Sequence, residues 1–372
     1  MATIELKNIS HSYQMDRREE IPIPQDCNLD QGFVIKDLSL TWEEGSANAL
    51  LGPSGCGKTT ILNIISGLLQ PTIGQILYDG KDVTALSPEA RHIAQVFQFP
   101  VIYDTMTVYK NLSFPLRNAG VKKSEIKRKV QEVAEILDLT HVLPMSAGKI
   151  SQAEKQKVSL GRGIIRDDNV AILFDEPLTV IDPKEKYILQ RKIREVQKNI
   201  KLTAIYVTHD QHEALTFADQ VTVIKDGRMI QTGNPAQLHT DPQSPFIGYF
   251  IGSPGMNLLT CTLEEDVLDF GEFQWPLSPA IRQALQTDDP EFQFGIRPEF
   301  VALSHEKKAG TVPFEATMVD NIGSYQVVTL STNGIQIKGR APEDMRIDVG
   351  NRLWVGFPEE SVRIFQNDKR VF

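Results

Sequence analysis

The chain has 372 residues, which is enough for two domains. Hydrophobic residues make up 41% and charged residues 23%, as is ordinary for a globular protein. The net charge of −9 argues against nucleic acid as the main partner, because a phosphate backbone requires a basic binding surface. No apolar run reaches the roughly 18 residues that span a bilayer, and the first residues lack the layout of a secretory signal.

The cysteines lie far apart along the chain, at Cys27, Cys56 and Cys261. This spacing provides neither a disulfide framework nor a metal-binding framework. A reducing cytoplasm is therefore the environment that we expect for the protein.

In the first part of the chain, strand-like and helix-like segments alternate. We predict strands at residues 3–9, 33–40, 47–51, 170–174, 203–207 and 221–224. We predict helices at residues 58–68, 121–137, 152–165 and 183–199. Residues 14–31 carry two prolines and a charge run without an apolar period, which indicates an exposed insertion. The alternation predicts an α/β domain with a buried parallel sheet.

The pattern changes near Asn234, where prolines and turn residues begin to interrupt the chain. Beyond Pro254 helix signals almost vanish, and short alternating segments take their place. These segments are residues 317–319, 326–330, 335–338 and 353–355. Asn333-Gly334, between two of them, predicts a hairpin turn. We therefore predict two domains, residues 1–238 and 239–372, of which the second is a small all-β barrel.

A glycine-rich motif satisfies the pattern G-x-x-x-x-G-K-[ST]. Its residues are Gly52, Pro53, Ser54, Gly55, Cys56, Gly57, Lys58 and Thr59. Such glycines let backbone N–H groups surround phosphate oxygens, and the following helix directs its positive end to the same place. Lys58 then neutralises the β and γ oxygens, and the Thr59 hydroxyl binds Mg²⁺. The alternative is a glycine-rich turn formed by chance, but the strand before the motif and the helix after it favour the phosphate site.

Two carboxylates, Asp175 and Glu176, end the apolar segment 170–174. Burying charge is costly, so a buried strand that ends in two acids needs a reason. Mg²⁺ binding by Asp175, directly or through water, supplies one. Glu176 is then placed to polarise the attacking water. The alternative is a solvated acidic pair at the surface, which the phosphate motif makes less attractive.

With these motifs in order, the chain resembles the nucleotide-binding subunits of ABC transporters. The resemblance identifies Gln98 as the glutamine that bridges Mg²⁺ or the attacking water and the membrane subunit. It implies that His209 contacts the γ-phosphate and that Asp182 communicates across a dimer. Tyr13 stands where the family places an aromatic ring against adenine. Without the resemblance, His209 would be read as structural and Tyr13 as a core residue.

The resemblance extends to the carbohydrate-uptake class, such as maltose and glycerol-phosphate importer ATPases. The segments that carry it are 99–103, 106–108, 210–214, 252–254, 256–257 and 295–299. The resemblance implies an α/β P-loop NTPase, with a RecA-like core and a helical subdomain, followed by a smaller all-β, OB-like regulatory domain. It also implies that Thr60 and Ser151 contact the nucleotide.

The family signature, approximately Leu-Ser-Gly-Gly-Gln, is altered here to Ile150-Ser151-Gln152-Ala153-Glu154. In the family, this segment opens a helix that meets the γ-phosphate held by the other subunit. Gln152 and Ala153 add side chains where glycines allow close approach, and Glu154 adds a negative charge. Alternatively, Ser151 and Glu154 form a capping box, in which the carboxylate folds back onto the helix start.

The intact phosphate motif beside an altered signature suggests pairing with a second, different ATPase subunit, although a homodimer is also possible. The resemblance implies two transmembrane permease subunits and indirect contact with a solute-binding protein, and the net charge of −9 leads us to expect no nucleic-acid partner. We therefore expect an ATP- and Mg²⁺-dependent subunit of a sugar or polyol importer, glycerol included, peripheral at the cytoplasmic face of the inner membrane. The alternatives are a soluble, non-transport ABC ATPase and a low-turnover regulatory subunit of a heteromeric transporter.

Overall fold

The computed structural model describes residues 2–14, 32–285 and 290–372. The chain divides into two compact units, Met1–Pro235 and Ala236–Phe372. The predicted insertion at residues 14–31 lies, apart from Gln14, outside the described residues. Within the described part of the chain, every helix is too short or too polar to cross a bilayer.

The strands of the first unit form two sheets. In chain order they are β1 (Ile4–His11), β2 (Ile35–Trp42), β3 (Ala47–Leu51), β4 (Ile73–Tyr78), β5 (Lys81–Asp82), β6 (Ile93–Val96), β7 (Ala171–Asp175), β8 (Thr203–Thr208), β9 (Gln220–Lys225) and β10 (Arg228–Gly233). One sheet has the order β10-β9-β3-β8-β7-β6, and its strands are parallel except for the β9–β10 pair. The other sheet, β2-β1-β4-β5, is antiparallel. The predicted parallel sheet is confirmed.

Strand β7 shows why the central strands are apolar along their whole length. Ile172 and Phe174 belong to one hydrophobic core, whereas Ala171 and Leu173 belong to another. Alternate side chains of a strand point to opposite faces, so a sheet covered on both faces needs apolar residues at every position. The strand therefore brings Asp175 at its end to the edge of a fully buried layer.

Six α-helices of the described residues accompany these sheets. They are α1 (Lys58–Ser66), α2 (Val108–Asn118), α3 (Lys123–Ile136), α4 (Gln152–Ile164), α5 (Pro183–Ile200) and α6 (Gln211–Phe217). The helices predicted at 58–68, 121–137, 152–165 and 183–199 correspond to α1, α3, α4 and α5. Helix α2 was not predicted, although Val108, Leu112 and Leu116 repeat every four residues and are buried. Thr107 caps α2 by accepting a hydrogen bond from Lys110 N at 3.2 Å.

The second unit consists of two antiparallel sheets that share one apolar core. The first sheet contains β11 (Asn257–Glu264), β12 (Val267–Asp269), β13 (Gln274–Pro276), β14 (Glu291–Ile296), β20 (Val362–Gln366) and β21 (Lys369–Arg370). The second contains β15 (Ala302–Ser304), β16 (Val312–Asn321), β17 (Tyr325–Thr332), β18 (Ile335–Pro342) and β19 (Arg352–Gly356). Short helices occur at α7 (Pro235–Thr240), α8 (Pro245–Phe250) and α9 (Pro279–Ala284), which sequence patterns did not reveal. Asn333-Gly334 joins β17 to β18, as predicted.

A buried arginine joins two of the segments on which the importer-class resemblance rests. Arg297 is only 2% exposed, and its guanidinium donates to the carbonyls of His239 at 2.7 Å and of Ile251. A Cβ atom on Gly252 would lie 2.7 Å from Arg297 Nη1, and Gly252 has φ +128°, so glycine is required there. Burial lowers the pKa of Arg297 to about 10.

Candidate functional site

The phosphate motif forms a tight loop between β3 and α1. Gly55 and Gly57 have φ values of +81° and +99°, in the left-handed region that favours glycine. A Cβ atom on Gly57 would lie 2.4 Å from Ile35 Cδ1, and one on Gly52 would lie 2.1 Å from the Ile224 carbonyl oxygen. Backbone conformation and close packing therefore both explain why this loop needs glycines.

The ammonium group of Lys58 is folded over this loop. Lys58 Nζ donates to the carbonyl oxygens of Gly52 at 2.8 Å and Pro53 at 2.9 Å, and only 6% of the residue is exposed. It also lies 3.8 Å from Cys56 Sγ, and burial raises the pKa of that thiol. The only cation of the loop is thus held at the loop, and the start of α1, which has free backbone N–H groups, follows directly.

The predicted acidic pair lies next to the loop. Asp175 Oδ1 accepts a hydrogen bond from Thr59 Oγ1 at 3.1 Å. Burial raises the pKa of Asp175 above its usual range; the Thr59 hydrogen bond opposes this shift, and the charge of Glu176 adds to it. A bound cation would favour the ionised carboxylate. Thr59 and Asp175, which are 116 positions apart, therefore place two side-chain oxygens side by side.

Glu176 and His209 form a pair at the ends of neighbouring strands. His209 Nδ1 lies 3.0 Å from Glu176 Oε1. The Glu176 side chain is 19% exposed and that of His209 is 55% exposed, so solvent reaches the histidine. Glu176 has φ +46°, which is rare for a residue with a side chain, and its N–H donates to the Val207 carbonyl at 3.0 Å. This backbone conformation therefore occurs directly after β7, at the residue whose carboxylate contacts His209.

Two further predicted site residues are Tyr13, which contacts the helix after the loop, and Gln98, which follows a strand of the six-stranded sheet. Tyr13 OH is 3.0 Å from Thr60 Oγ1 on α1, and the Tyr13 ring packs edge-on against His11 with 4.7 Å between centroids. Tyr13 is 62% exposed, so it is not a core residue. Gln98 follows β6 and is half-buried. The structure thus brings Tyr13 to α1 and Gln98 to the end of the strand that pairs with β7.

The structure places Asp182 and Ser151 at helix starts. Asp182 caps α5 by accepting from Lys184 N at 3.0 Å. Ser151 caps α4 by accepting from Glu154 N at 3.2 Å. Both have an intrachain role in starting a helix, and both helix starts are exposed.

Three segments of the chain match known protein families. The family model described as "ABC transporter" matches residues 35–179, the MalK OB fold domain matches 252–301, and the TOBE domain matches 294–365. The trehalose/maltose import ATP-binding protein MalK of Thermococcus litoralis is 38% identical over 348 residues, which are 89% of this chain and 93% of that protein. The chain belongs to the ABC transporter family.

Other similarities agree with this assignment. The sn-glycerol-3-phosphate import ATP-binding protein UgpC of Psychromonas ingrahamii is 33% identical over 377 residues, covering 99% of this chain and 95% of that protein. The solved structure of CbiO1 from Clostridium perfringens, part of the ABC transporter complex CbiONQ, matches with a TM-score of 0.55 and 24% identity. That match covers 63% of this chain and 89% of CbiO1 and shows a shared fold. The predicted resemblance is confirmed: the chain is an ATP-binding ABC ATPase subunit of the importer class.

The altered signature of this ABC subunit forms a capping box. Glu154 Oε2 accepts from Ser151 N and from Ser151 Oγ, both at 2.8 Å, while Glu154 N donates to Ser151 Oγ. Glu154 Oε1 also lies 3.2 Å from His141 Nε2. These Ser151 and His141 contacts outweigh partial burial and lower the pKa of Glu154. Of the two geometries left open by the sequence, the carboxylate adopts the one folded back onto the helix start.

Sequence reasoning missed the contacts that join α4 to the segment after β6. Gln156, which is fully buried, donates from Nε2 to the Phe97 carbonyl at 3.1 Å. Arg162 donates to the Val101 carbonyl at 2.6 Å, and its guanidinium lies 4.8 Å from the centre of the Tyr103 ring. The signature helix of this ABC subunit therefore holds the segment next to Gln98. The polar residues inside predicted helix 152–165 were the available signal, but their partners are 59 and 61 positions away.

Proposed function

We propose that this ABC subunit hydrolyses Mg²⁺–ATP to power uptake of a sugar or of a polyol such as glycerol. The observation that supports the proposal is one cluster, formed by Lys58, Thr59, Asp175, Glu176 and His209. Their segments follow the carboxyl ends of the parallel strands β3, β7 and β8. Ligands of open α/β sheets bind at this edge.

The residues present fit a magnesium ion that arrives with the nucleotide. Among the described residues, no group of three or more His, Cys, Asp and Glu side chains could hold a metal ion alone. Mg²⁺ keeps several waters and takes one or two protein oxygens besides substrate phosphates, so Thr59 and Asp175 suffice, with Gln98 as a further ligand. When bound, Mg²⁺ neutralises charge that develops on the phosphate oxygens.

In this proposal, the protein supplies position and charge for phosphoryl transfer. Lys58 and the backbone N–H groups of residues 54–60 hold the phosphates, and Tyr13 packs against adenine. Glu176 orients and deprotonates the attacking water, and His209 holds Glu176 and contacts the γ-phosphate. Ser151 and Asp182 act at the nucleotide of the other subunit in the dimer. Closure of the dimer excludes water from this site.

The proposed setting is the cytoplasmic face of the inner membrane, where the subunit is peripheral. It works with two transmembrane permease subunits and, through them, a solute-binding protein. Residues 1–238 form the ATPase domain, and residues 239–372 form a regulatory domain. The names of relatives support a sugar or a glycerol derivative as solute: one is a trehalose/maltose import protein and another an sn-glycerol-3-phosphate import protein.

Nucleotide binding is the direct test. We expect the purified chain to bind ATP, and to bind it more tightly when Mg²⁺ is present, because the loop provides an anion site and Thr59 and Asp175 provide metal ligands. Fluorescent ATP analogues, titrated with and without Mg²⁺, measure this affinity. Asp175→Asn should remove most of the Mg²⁺ effect and leave metal-free binding intact. The proposal is wrong if the chain has no affinity for ATP under either condition.

The pairing of two chains is the finer part of the proposal. We propose that this chain pairs with a second ATPase subunit that brings an unaltered signature, because Gln152 and Ala153 carry side chains at the start of α4. Charge repulsion by Glu154 does not support this pairing, because the capping box folds the Glu154 carboxylate back onto Ser151. The remaining argument is steric and depends on close backbone approach.

The chain alone should therefore hydrolyse ATP slowly. The double substitution Gln152→Gly with Ala153→Gly should raise turnover, because it restores the room that a γ-phosphate needs at the start of α4. Steady-state ATP hydrolysis at several protein concentrations measures the turnover of the unaltered chain and of the double variant. The control is Gln131→Gly, which introduces a glycine on the exposed face of a different helix, α3. This variant should not raise turnover. Rapid, cooperative hydrolysis by the unaltered chain would establish a homodimer and reject the heterodimer.

A further inference from the structure

A buried carboxylate lies behind the Glu176–His209 pair. Glu213, on α6, is 8% exposed. Its Oε2 atom accepts hydrogen bonds from Thr208 Oγ1 at 2.9 Å and Tyr206 OH at 3.0 Å. Its Oε1 atom accepts from Lys186 Nζ at 3.2 Å. One side chain therefore binds donors from the end of β8 and from α5.

The Thr208 hydroxyl connects this carboxylate to the backbone around His209. Thr208 Oγ1 donates to Glu213 and accepts from Asp210 N at 3.0 Å. The residues on both sides of His209 are therefore joined through one hydroxyl. A hydroxyl has a single proton, so the Glu213 carboxylate fixes which way it points. This fixes the backbone from which the His209 ring reaches Glu176 Oε1.

The second oxygen of Glu213 connects His209 to the start of α5. Lys186 lies in the second turn of the helix that Asp182 caps, and its N–H donates to the Asp182 carbonyl at 2.9 Å. A second contact joins the same helices, since Gln190 Nε2 donates to the Glu213 carbonyl at 2.6 Å. Helix α5 and the segment that carries His209 thus meet at one carboxylate.

The stability of the folded protein does not by itself explain why the Glu213 carboxylate is buried here. A buried ion pair is commonly no more stabilising than apolar residues of the same volume, because desolvation offsets the attraction. Apolar residues on the same two helices are buried in one core, for example Phe217 on α6 and Leu189 on α5. What an apolar side chain would lack at position 213 is an acceptor for the Thr208 hydroxyl.

We infer that Glu213 is a positioning residue for His209 and links it mechanically to the segment that begins at Asp182. The inference rests on the roles proposed above for Glu176 and His209. Glu213 acts on His209 through Thr208, which holds the His209 backbone. It acts on α5 through Lys186, so that a displacement of α5 also displaces the Glu213 carboxylate. It touches no nucleotide itself.

The most direct test of this inference is Thr208→Val, which keeps the shape of the side chain and removes the hydroxyl that bonds Glu213. We expect the rate constant kcat to fall about tenfold to a hundredfold, the effect of losing a hydrogen bond to a charged group. The Kd for ATP should stay unchanged, because the phosphate loop is intact. Thr208→Ser should recover most of the rate. The matched control is Thr222→Val on β9, a buried threonine whose hydroxyl bonds Thr232 Oγ1 instead.

A double-mutant cycle separates positioning from general stability. In a His209→Ala background, Thr208→Val should cause no further loss of kcat, because its effect passes through the histidine. Equal fractional losses in both backgrounds, or a Thr222→Val loss as large as that of Thr208→Val, would overturn the inference. If His209→Ala itself retains full kcat, the proposed role of His209 fails. If His209→Ala is inactive while Thr208→Val is normal, only the role of Glu213 fails.

The link to α5 has its own variant. Lys186→Met removes the ammonium and leaves the Tyr206 and Thr208 contacts to Glu213 in place. In the dimer with the second ATPase subunit, we expect a smaller decrease in kcat than for Thr208→Val, together with weaker cooperativity between the two ATP sites, because Asp182 and His209 no longer move together. Unchanged cooperativity would reject the link between α5 and His209. Hydrolysis measured against ATP concentration gives both quantities.

Discussion

Replacing Glu176 by Gln is expected to slow ATP hydrolysis by about 10²- to 10⁴-fold, the contribution of a positioned general base. Glutamine keeps the size of the side chain, and its amide oxygen can still accept a hydrogen bond from His209 Nδ1, which lies 3.0 Å from Glu176 Oε1. It cannot take a proton from water. ATP affinity should be preserved, because the phosphate loop does not depend on this carboxylate.

The closed, ATP-bound dimer should consequently accumulate when this variant is combined with the second ATPase subunit proposed above. Size-exclusion chromatography with ATP and Mg²⁺ detects the dimer, and phosphate release measures the rate. Glu44→Gln, at an exposed carboxylate in the turn before β3, is the matched control and should behave as the unaltered chain does. Turnover of Glu176→Gln at the normal rate would show that another group activates the water.

Local motifs made much of the site predictable from the sequence. Residues 52–59 predict a phosphate loop because the motif is continuous in the sequence, and part of its glycine requirement is local, such as the positive φ of Gly57. The acids at 175 and 176 could be placed because they end a continuous apolar run, which predicts a strand buried on both faces. Parallel strands then bring their carboxyl ends to one edge, so the neighbourhood of Thr59 and Asp175 follows from the predicted sheet.

Contacts that depend on tertiary packing could not be predicted. Whether Glu154 faces a phosphate or folds back onto Ser151 is decided by side-chain rotamers, and His141 contributes from a separate segment. The bonds of Gln156 and Arg162 to the segment after β6 join residues that share no sequence period. The role of Glu213 was equally hidden, since its partners come from two other elements.

The fold of the second unit was predictable in class but not in detail. Long strands such as β17 and β18 show alternation and an Asn-Gly turn between them. Strands β12, β13 and β15 have only three residues each, too few for a period to emerge. Helix α9, with six residues, is started by Pro279 and the Ser278 cap rather than by an amphipathic pattern. Short elements of this kind depend on their neighbours.

Replacing Lys58 by Met should abolish hydrolysis and weaken ATP binding by about tenfold to a hundredfold, the range for one charge-assisted hydrogen bond. Methionine keeps the length and apolar stem of the side chain and removes only its charge and donors. The measurement is the Kd for ATP together with phosphate release. Lys7→Met, at an exposed lysine of β1, is the matched control.

A fall in activity could also arise from the loop itself, because Lys58 Nζ serves the carbonyl oxygens of Gly52 and Pro53. Those carbonyls lose a donor in Lys58→Met, which is a cost to the folded state. Thermal unfolding without nucleotide measures this cost, and unfolding with saturating ATP measures the nucleotide contribution. We expect a small change in the first and loss of most ATP-induced stabilisation in the second. If ATP stabilised Lys58→Met as much as the unaltered chain, the ammonium would serve only the loop, and a different cation would have to neutralise the phosphates.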